Sequence, residues 1–156
     1  MKEVVVLVMV FLLAAPVAAF DEPYGGVRLL DGYRFKRSSS VDTINGLIYK
    51  DGGLSIEFES GVSEGYAVDP KNKGTYIWYR EQVVNGHRVM LALTKPGVGT
   101  VWKPEKARGS KPGNILMVTF PGRFGPHNAA NFHAEVLSEE EVADMLLMVL
   151  TFDPTK

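Results

Sequence analysis

Residues 76–94 read YIWYREQVVNGHRVMLALT, and this stretch decides the fold class. Two runs rich in β-branched and aromatic residues flank the dipeptide Asn85-Gly86. Both of these residue types accept the positive φ angles that the type I′ turn of a two-residue hairpin requires. Apolar residues alternate along the second run and so share one face of a strand: Val89, Leu91 and Leu93. We therefore predict an antiparallel hairpin with one buried face.

Four more segments carry strand patterns on either side of this hairpin. Two of them precede it, residues 44–50 and 54–59, and the turn composition Asp51-Gly52-Gly53 lies between them. Ser, Glu and apolar residues alternate in the second of these segments, which is typical of a strand with one face in water. The other two follow the hairpin, at 114–120 and 131–137. The pattern predicts a sheet of about six strands.

The last segment with a regular pattern is a helix that follows Ser138. Glu141 lies three residues after this serine, so the pair forms a capping box, and glutamates fill the first turn, where the helix dipole favours anions. Apolar residues recur at helical spacing: Val142, Met145, Leu146, Val149 and Leu150. Leu147 and Met148 extend this surface and predict a deeply packed helix. The fold class expected is α+β, a twisted antiparallel sheet covered by a C-terminal helix.

The N-terminus has the composition of a secretory signal peptide. Residues 4–15 form an unbroken apolar run, Pro16 follows, and small residues lead up to Ala19. We predict cleavage between Ala19 and Phe20, which makes the protein exported, either periplasmic or secreted. The alternative is an uncleaved membrane anchor, but the run is shorter than the roughly 20 apolar residues that span a bilayer. Residues 20–32 would then be a flexible lead-in, and 33–153 a single globular domain.

Composition restricts the function classes. The chain has no cysteine, which excludes disulfides and a lipid-modified N-terminal cysteine. The formal net charge is −1, and no nucleic-acid-binding motif occurs, so a nucleic-acid partner is not expected. A membrane would be contacted only through an uncleaved signal segment. We predict no cofactor from the sequence, apart from the metal alternative described below.

Two aromatic segments are candidate binding surfaces. Trp78 lies in the first arm of the hairpin, where strand alternation places it on the same face as Tyr76. Exposed rings would bind a sugar or a peptide, whereas buried rings would belong to the core. A basic segment carries the second tryptophan with three cations, which suit an anionic glycan or a protein partner: Trp102, Lys103, Lys106 and Arg108. A mobile solubilising loop is the other interpretation of this segment.

A metal site is the main alternative to a binding surface. His133 and Glu135 share one face of the strand 131–137, and His127 precedes that strand. Two imidazoles and a carboxylate are a common ligand set for Zn²⁺. If these three side chains converge, a small metal-dependent enzyme or hydrolase is expected. If they do not, they belong to the hydrogen-bonding or solvated face of the sheet.

The order of elements resembles that of Mog1/PsbP-like domains. The similarity lies in the hairpin around Asn85-Gly86, the strand pair 114–120 and 131–137, and the closing helix at 138–150. It implies an antiparallel sheet with helical cover that acts as a binding or assembly module. The chain also resembles small exported bacterial proteins of unknown function. We expect a non-enzymatic binding or protein-interaction domain whose partner is a protein or glycan of the envelope. A structural subunit of an envelope assembly is a further alternative.

Overall fold

The computed structural model describes residues 23–38, 43–61, 65–95, 112–122 and 125–156, except for the side chains of residue 24 and residues 125–128. The elements within these ranges are β1 (Arg34–Ser38), β2 (Thr43–Tyr49), β3 (Ser55–Gly61), β4 (Tyr76–Val84), β5 (His87–Thr94), β6 (Asn114–Gly122), β7 (Gly125–Val136) and the helix α1 (Glu139–Val149). Two short 3-10 turns, Tyr24–Gly26 and Pro70–Thr75, complete them. The predicted α+β class with a C-terminal helix is confirmed.

The strands form one antiparallel sheet in the order β1-β2-β3-β7-β6-β5-β4. It has seven strands within the described ranges, so the prediction of about six was one short. The strand that was missed is β1, whose sequence RFKRS has a single large apolar residue, Phe35, and is otherwise exposed. A strand at the edge of a sheet needs few buried side chains, so it shows no alternating pattern. The two edges of the sheet are β1 and β4.

One face of the sheet, which we call the helix face, carries the main core. Side chains from five strands meet α1 there, and an aromatic cluster lies at its centre: Phe58, Phe120, Phe132 and Phe152. The ring centroids of Phe120 and Phe152 are 4.8 Å apart and those of Phe132 and Phe152 are 5.3 Å apart, both edge to face. Burying each ring contributes roughly 2 kcal/mol, so this cluster dominates the packing.

The helix α1 begins as predicted but is less deeply packed. The Ser138 hydroxyl accepts a hydrogen bond from the Glu141 N–H at 3.2 Å, and the Glu141 carboxylate accepts one from the Leu137 N–H at 2.8 Å. Met145 and Val149 are buried against the sheet, whereas Leu147 is 62% exposed. The prediction that Leu147 extends the packed surface was therefore wrong, because the outer side of α1 faces water, whereas Met148 is fully buried as predicted.

The other side of the sheet, which we call the opposite face, is covered by residues 65–69. Val68 is fully buried there among Met90 and Met117, and its N–H donates to the Thr119 hydroxyl at 3.1 Å. These residues pack on the sheet because polar side chains of β6 and β7 bind their backbone.

The two ends of the described chain are joined to each other. The Asp153 N–H donates to the carbonyl oxygen of Gly25 at 2.9 Å, and the Arg28 N–H donates to the Thr151 hydroxyl at 2.7 Å. Val27 is buried beside this contact. Residues 1–22, which include the predicted signal peptide and its cleavage site, lie outside the described residues. Within the described ranges, no helix has the length and apolar character needed to cross a membrane.

Candidate functional site

The predicted hairpin is present and forms one end of the sheet. Asn85 has φ 51° and Gly86 has φ 80°, and β4 pairs with β5 from Val84 opposite His87 onward. These two positive φ angles match the sequence expectation for a type I′ turn. The amide of Asn85 also donates to the Leu150 carbonyl oxygen at 3.4 Å, which ties the turn to the end of α1. The hairpin is thus held at its tip as well as along β5.

A β-bulge in β4 changes which aromatic rings share a face. Tyr76 is opposite Thr94, whereas Trp78 is already opposite Leu93, so one extra residue of β4 lies between them. Trp78 consequently packs with Leu93 against the core of the helix face, and Tyr76 packs on the opposite face. The prediction that Tyr76 and Trp78 face the same way was wrong, because a bulge reverses the alternation of side chains.

Trp78 is half-buried, and the bulge brings Tyr79 beside Tyr76 on the opposite face. The rings of Tyr76 and Tyr79 are 6.3 Å apart between centroids and lie within 14° of parallel. The ammonium of Lys73 is 4.5 Å from the centroid of the Tyr79 ring, a cation–π contact. Burial is the main cause that raises the pKa of Tyr79, to about 12, and the hydrogen bond to Glu81 adds to it. Tyr79 is therefore a neutral hydrogen-bond donor at physiological pH.

Glu81 links the two arms of the hairpin. Its carboxylate accepts hydrogen bonds from the Arg88 Nε at 2.6 Å and from the Tyr79 hydroxyl at 2.8 Å. The hydrogen bond from Arg88 is the main cause that lowers the pKa of the Glu81 carboxyl, and the bond from Tyr79 lowers it further. The charge of Glu81 is thus balanced by its cross-strand neighbour. The outer strand presents a fixed backbone with little net charge.

The outer side of β4 is a candidate contact surface. β4 is nine residues long, pairs with β5 on its inner side, and stands last in the strand order. Ile77 is 48% exposed and Val83 is 72% exposed. An edge strand presents a row of backbone N–H and C=O groups that can bind another strand. Length, exposure and β-branched composition make β4 suited to such pairing.

The opposite edge of the sheet has different chemistry. β1 has five residues, and its exposed side chains include Arg34, Lys36 and Arg37. Arg34 also forms an ion pair with Asp51. Lys and Arg side chains are one feature by which natural sheets keep an edge from pairing with other chains. The described residues of β1 have this protection, whereas β4 carries no net charge and has exposed apolar residues.

Two of the proposed metal ligands are buried side by side on the opposite face. His133 and Glu135 are each 5% exposed, and the Glu135 carboxylate accepts a hydrogen bond from the Gly113 N–H at 2.7 Å. Desolvation lowers the pKa of His133 to about 4, so its imidazole is neutral. His127 lies in β7, but its side chain is outside the described residues. Among the described side chains, no group of three His, Asp or Glu residues is arranged to hold a metal ion.

Strand register adds polar neighbours that the sequence did not reveal. Glu57 of β3 lies opposite His133, and Glu59 lies opposite Asn131. Asn131 is buried and bonded to both Glu59 and the backbone of residues 65–67. These side chains are brought together by the pairing of β3 with β7, which are far apart in the chain. No local pattern could have indicated that contact.

The basic segment with the second tryptophan lies outside the described residues: Trp102, Lys103, Lys106 and Arg108. Of the predicted binding residues, the structure thus places Trp78 alone, at the outer strand of the sheet. Comparisons with protein-family models, with curated proteins and with solved structures gave no match to this chain. Function is accordingly inferred from the residues of the site.

Proposed function

We propose that this chain is an exported, non-enzymatic protein-interaction domain that binds its partner along the outer edge of β4. The observation that carries the proposal is the contrast between the two edges of the sheet. Most of the nine residues of β4 are exposed, and its two charges, Arg80 and Glu81, cancel, whereas every charge on the described residues of β1 is basic. Charged side chains normally keep a sheet edge from pairing, and β4 carries no net charge.

Strand addition is the mode of binding that such an edge supports. A partner segment in extended conformation satisfies the outward N–H and C=O groups, which supply affinity. Side chains that alternate on the two faces supply specificity, and those of β4 differ on its two faces. Trp78 and Arg80 lie on the helix face, whereas Tyr79 and Glu81 lie on the opposite face. The side chains of a partner strand would therefore contact different residues of β4 on each face.

The hairpin is rigid enough to serve as a template. β5 is buried on both faces over residues 89–94, and Glu81 binds Arg88 across the pair. Its tip is bonded to the end of α1 through Asn85. A preformed edge avoids the entropic cost of ordering a loop on binding, so more of the interaction energy appears as affinity. Export, the other half of the proposal, is supported by the composition of residues 1–19.

Site-specific photo-crosslinking in cells that express the protein tests the proposal. A benzophenone amino acid at Val83 samples the outer end of β4, and the same group at Lys36 samples β1. A third, at Leu147, controls for exposed apolar positions because its exposure is similar to that of Val83. We expect covalent adducts of defined mass from Val83 and none from Lys36 or Leu147. Equal labelling at all three positions, or none at Val83, would contradict the proposal.

A variant with a lysine on β4 tests whether binding at this edge can be abolished. Val83→Lys places on β4 the type of side chain that protects β1. The position is 72% exposed but lies opposite Arg88, so stability should fall by no more than about 1 kcal/mol. We expect the adducts from a benzophenone at Gln82 to disappear in this variant. Leu147→Lys, the control, should leave them unchanged. Unchanged adducts in Val83→Lys would show that the contact is made elsewhere.

A further inference from the structure

We infer that the segment added to β4 is the β4 strand of a second copy of this chain, with Tyr79 at the two-fold axis. This inference rests on the proposed function, because it uses the same edge and names its occupant. It predicts a symmetric dimer in which the two sheets continue into one another. Its evidence is the order of charged and aromatic residues along β4.

Symmetry restricts how two copies of β4 can pair. Homodimers are most often two-fold symmetric, and a two-fold axis perpendicular to the sheet makes the two edge strands antiparallel. Each face of one sheet then continues into the same face of the other. Directly opposed residues must share a face, and consecutive residues of a strand point to opposite faces. Opposed residues are therefore an even number of positions apart, so one residue of β4 lies opposite its own copy at the axis. The identity of that central residue defines the register.

Only registers centred on residues 79–81 pair at least seven of the nine residues of β4, and charge decides among these three. A register centred on Arg80 opposes two arginines, and one centred on Glu81 opposes two glutamates. Like charges directly across a strand pair are destabilising, by up to about 1 kcal/mol for each pair. A register centred on Tyr79 opposes two aromatic rings instead, and aromatic pairs across strands are favourable.

The same register places Arg80 of each copy opposite Trp78 of the other. Both residues lie on the helix face, because Trp78 pairs with Leu93 and Arg80 with Leu91 of β5. A guanidinium over an indole is the most favourable cation–π pair, worth about 0.5–1 kcal/mol where the site is exposed. Two such contacts form by symmetry. Two antiparallel copies of the segment Trp78-Tyr79-Arg80 are thus complementary to each other.

The other edge of the sheet, β1, explains why association would stop at a dimer. Pairing of β4 with β1 of another copy would be heterologous and could continue without end into a filament. β1 opposes this through its basic residues, Lys36 and Arg37. Pairing of β4 with β4 uses the edge without net charge in both copies at once. Among the described strands, the closed dimer leaves only the basic edges of β1 open.

The absence of native cysteine allows a direct test of the register. Directly opposed Cβ atoms in an antiparallel pair are about 4.5–5.5 Å apart, close to disulfide distance. Residues 1–156 are expressed with the single change Tyr79→Cys, and the protein is purified in the form that the cells produce. We expect rapid formation of a disulfide-linked dimer on mild oxidation. Sedimentation of the unchanged protein should show a species of twice the monomer mass.

Two cysteine controls show whether linkage at position 79 depends on the proposed register or only on the exposure of the thiol. Gln82→Cys changes no charge and is more exposed than position 79, but in the proposed register its sulfur lies about 20 Å along the strand from its symmetry mate. Lys36→Cys is exposed on β1. We expect both to cross-link at least about ten-fold more slowly than Tyr79→Cys, because their sulfurs are too far apart for a disulfide. Faster linkage at Gln82→Cys or Lys36→Cys would overturn the inference.

The result also distinguishes this inference from the function on which it rests. A monomer in sedimentation without linkage at position 79 overturns the second copy as the partner. If Val83 then captures a different protein in cells, the edge is a contact surface for another chain. If Val83 captures nothing either, both the inference and the proposed function fail. Circular dichroism on each cysteine variant establishes that it is folded before its linkage is compared.

Discussion

The side-chain amide of Asn131 donates a hydrogen bond of 2.7 Å to the carbonyl oxygen of Gly65, 66 residues earlier in the chain. The same side chain accepts from the Ala67 N–H at 3.0 Å and from the Thr119 hydroxyl at 2.8 Å. Asn131 is buried, as is its bond with Thr119, while its two bonds to the backbone of residues 65–67 are partly buried. They hold residues 65–67 on the opposite face, beside the buried side chain of Val68.

Asn131→Ala is expected to destabilise the protein by about 3 kcal/mol. The change leaves the buried Thr119 hydroxyl and the partly buried Ala67 N–H without their acceptor, and each such unsatisfied group costs roughly 1–3 kcal/mol. Urea unfolding monitored by circular dichroism measures the effect. Asn72→Ala is the matched control, because its amide makes one exposed contact of 3.4 Å with Asp69. A loss in Asn131→Ala no larger than in this control would contradict the assigned role.

Gly25→Ala is expected to destabilise the protein by about 3 kcal/mol for two separable reasons. Gly25 has φ 66°, and an added Cβ would lie 2.2 Å from the ring of Phe152, which is part of the aromatic cluster. The backbone conformation costs roughly 1–2 kcal/mol for a residue with a Cβ. Forcing extra volume against a packed ring adds about 1–3 kcal/mol. The free energy of unfolding in urea provides the measurement.

Gly52→Ala isolates the backbone part of this effect. Gly52 has φ 70°, close to that of Gly25, but no atom lies within 4 Å of an added Cβ. Its loss should be about 1 kcal/mol, from the positive φ alone. Equal losses in the two variants would mean that the ring of Phe152 moves without cost. The difference between them therefore measures how firmly the aromatic cluster is packed.

The sequence predicted those features whose cause is local. The Asn85-Gly86 turn and the Ser138–Glu141 cap each depend on residues within four positions of one another, and both have the predicted geometry. Two local features were still missed. β1 contains one inward apolar residue, Phe35, and the bulge before Trp78 inserts a residue that composition does not mark. Strand alternation is informative only where the register is unbroken.

The candidate site depended on contacts between distant parts of the chain. Whether β4 forms an edge is decided by strand order, because β7 returns to lie between β3 and β6 and leaves β4 outside. The prediction that His133 and Glu135 share a strand face was confirmed, since both lie on the opposite face. Their burial was not foreseen. It depends on the neighbouring strands β3 and β6, which sequence periodicity cannot place.

Stability is expected to fall in mild acid because of His133. Burial lowers the pKa of this imidazole to about 4, whereas a histidine in the unfolded chain titrates near 6.5. The unfolded chain therefore binds a proton that the folded protein excludes between these values. The free energy of unfolding should decrease as the pH falls from about 6.5 to 4, by roughly 1.4 kcal/mol per unit for this group. Above pH 6.5 the contribution of this group is constant.

Urea unfolding at pH 7 and pH 4.5 measures this dependence, and His133→Gln removes it. We expect the unchanged protein to lose on the order of 2–3 kcal/mol more than the variant between these pH values. Glu57 faces His133 from β3, and Glu135 lies beside it on β7, so Glu57→Gln tests whether a carboxylate shares in the titration. His87→Gln is the control, since His87 is only partly buried. An identical acid loss with and without His133 would exclude it as the cause.

The last prediction concerns the predicted signal peptide and its removal in the cell. If residues 1–19 are a signal peptide, N-terminal sequencing of the exported protein should begin at Phe20. Signal peptidase accepts small residues before the cut, so Ala19→Arg should block cleavage and leave a longer chain in the membrane fraction. Ala15→Val is the control, because it keeps the apolar run and does not alter the residue before the cut. An uncleaved start at Met1 in the unchanged protein would identify an anchor instead, and β4 would then present its edge from a membrane-bound domain.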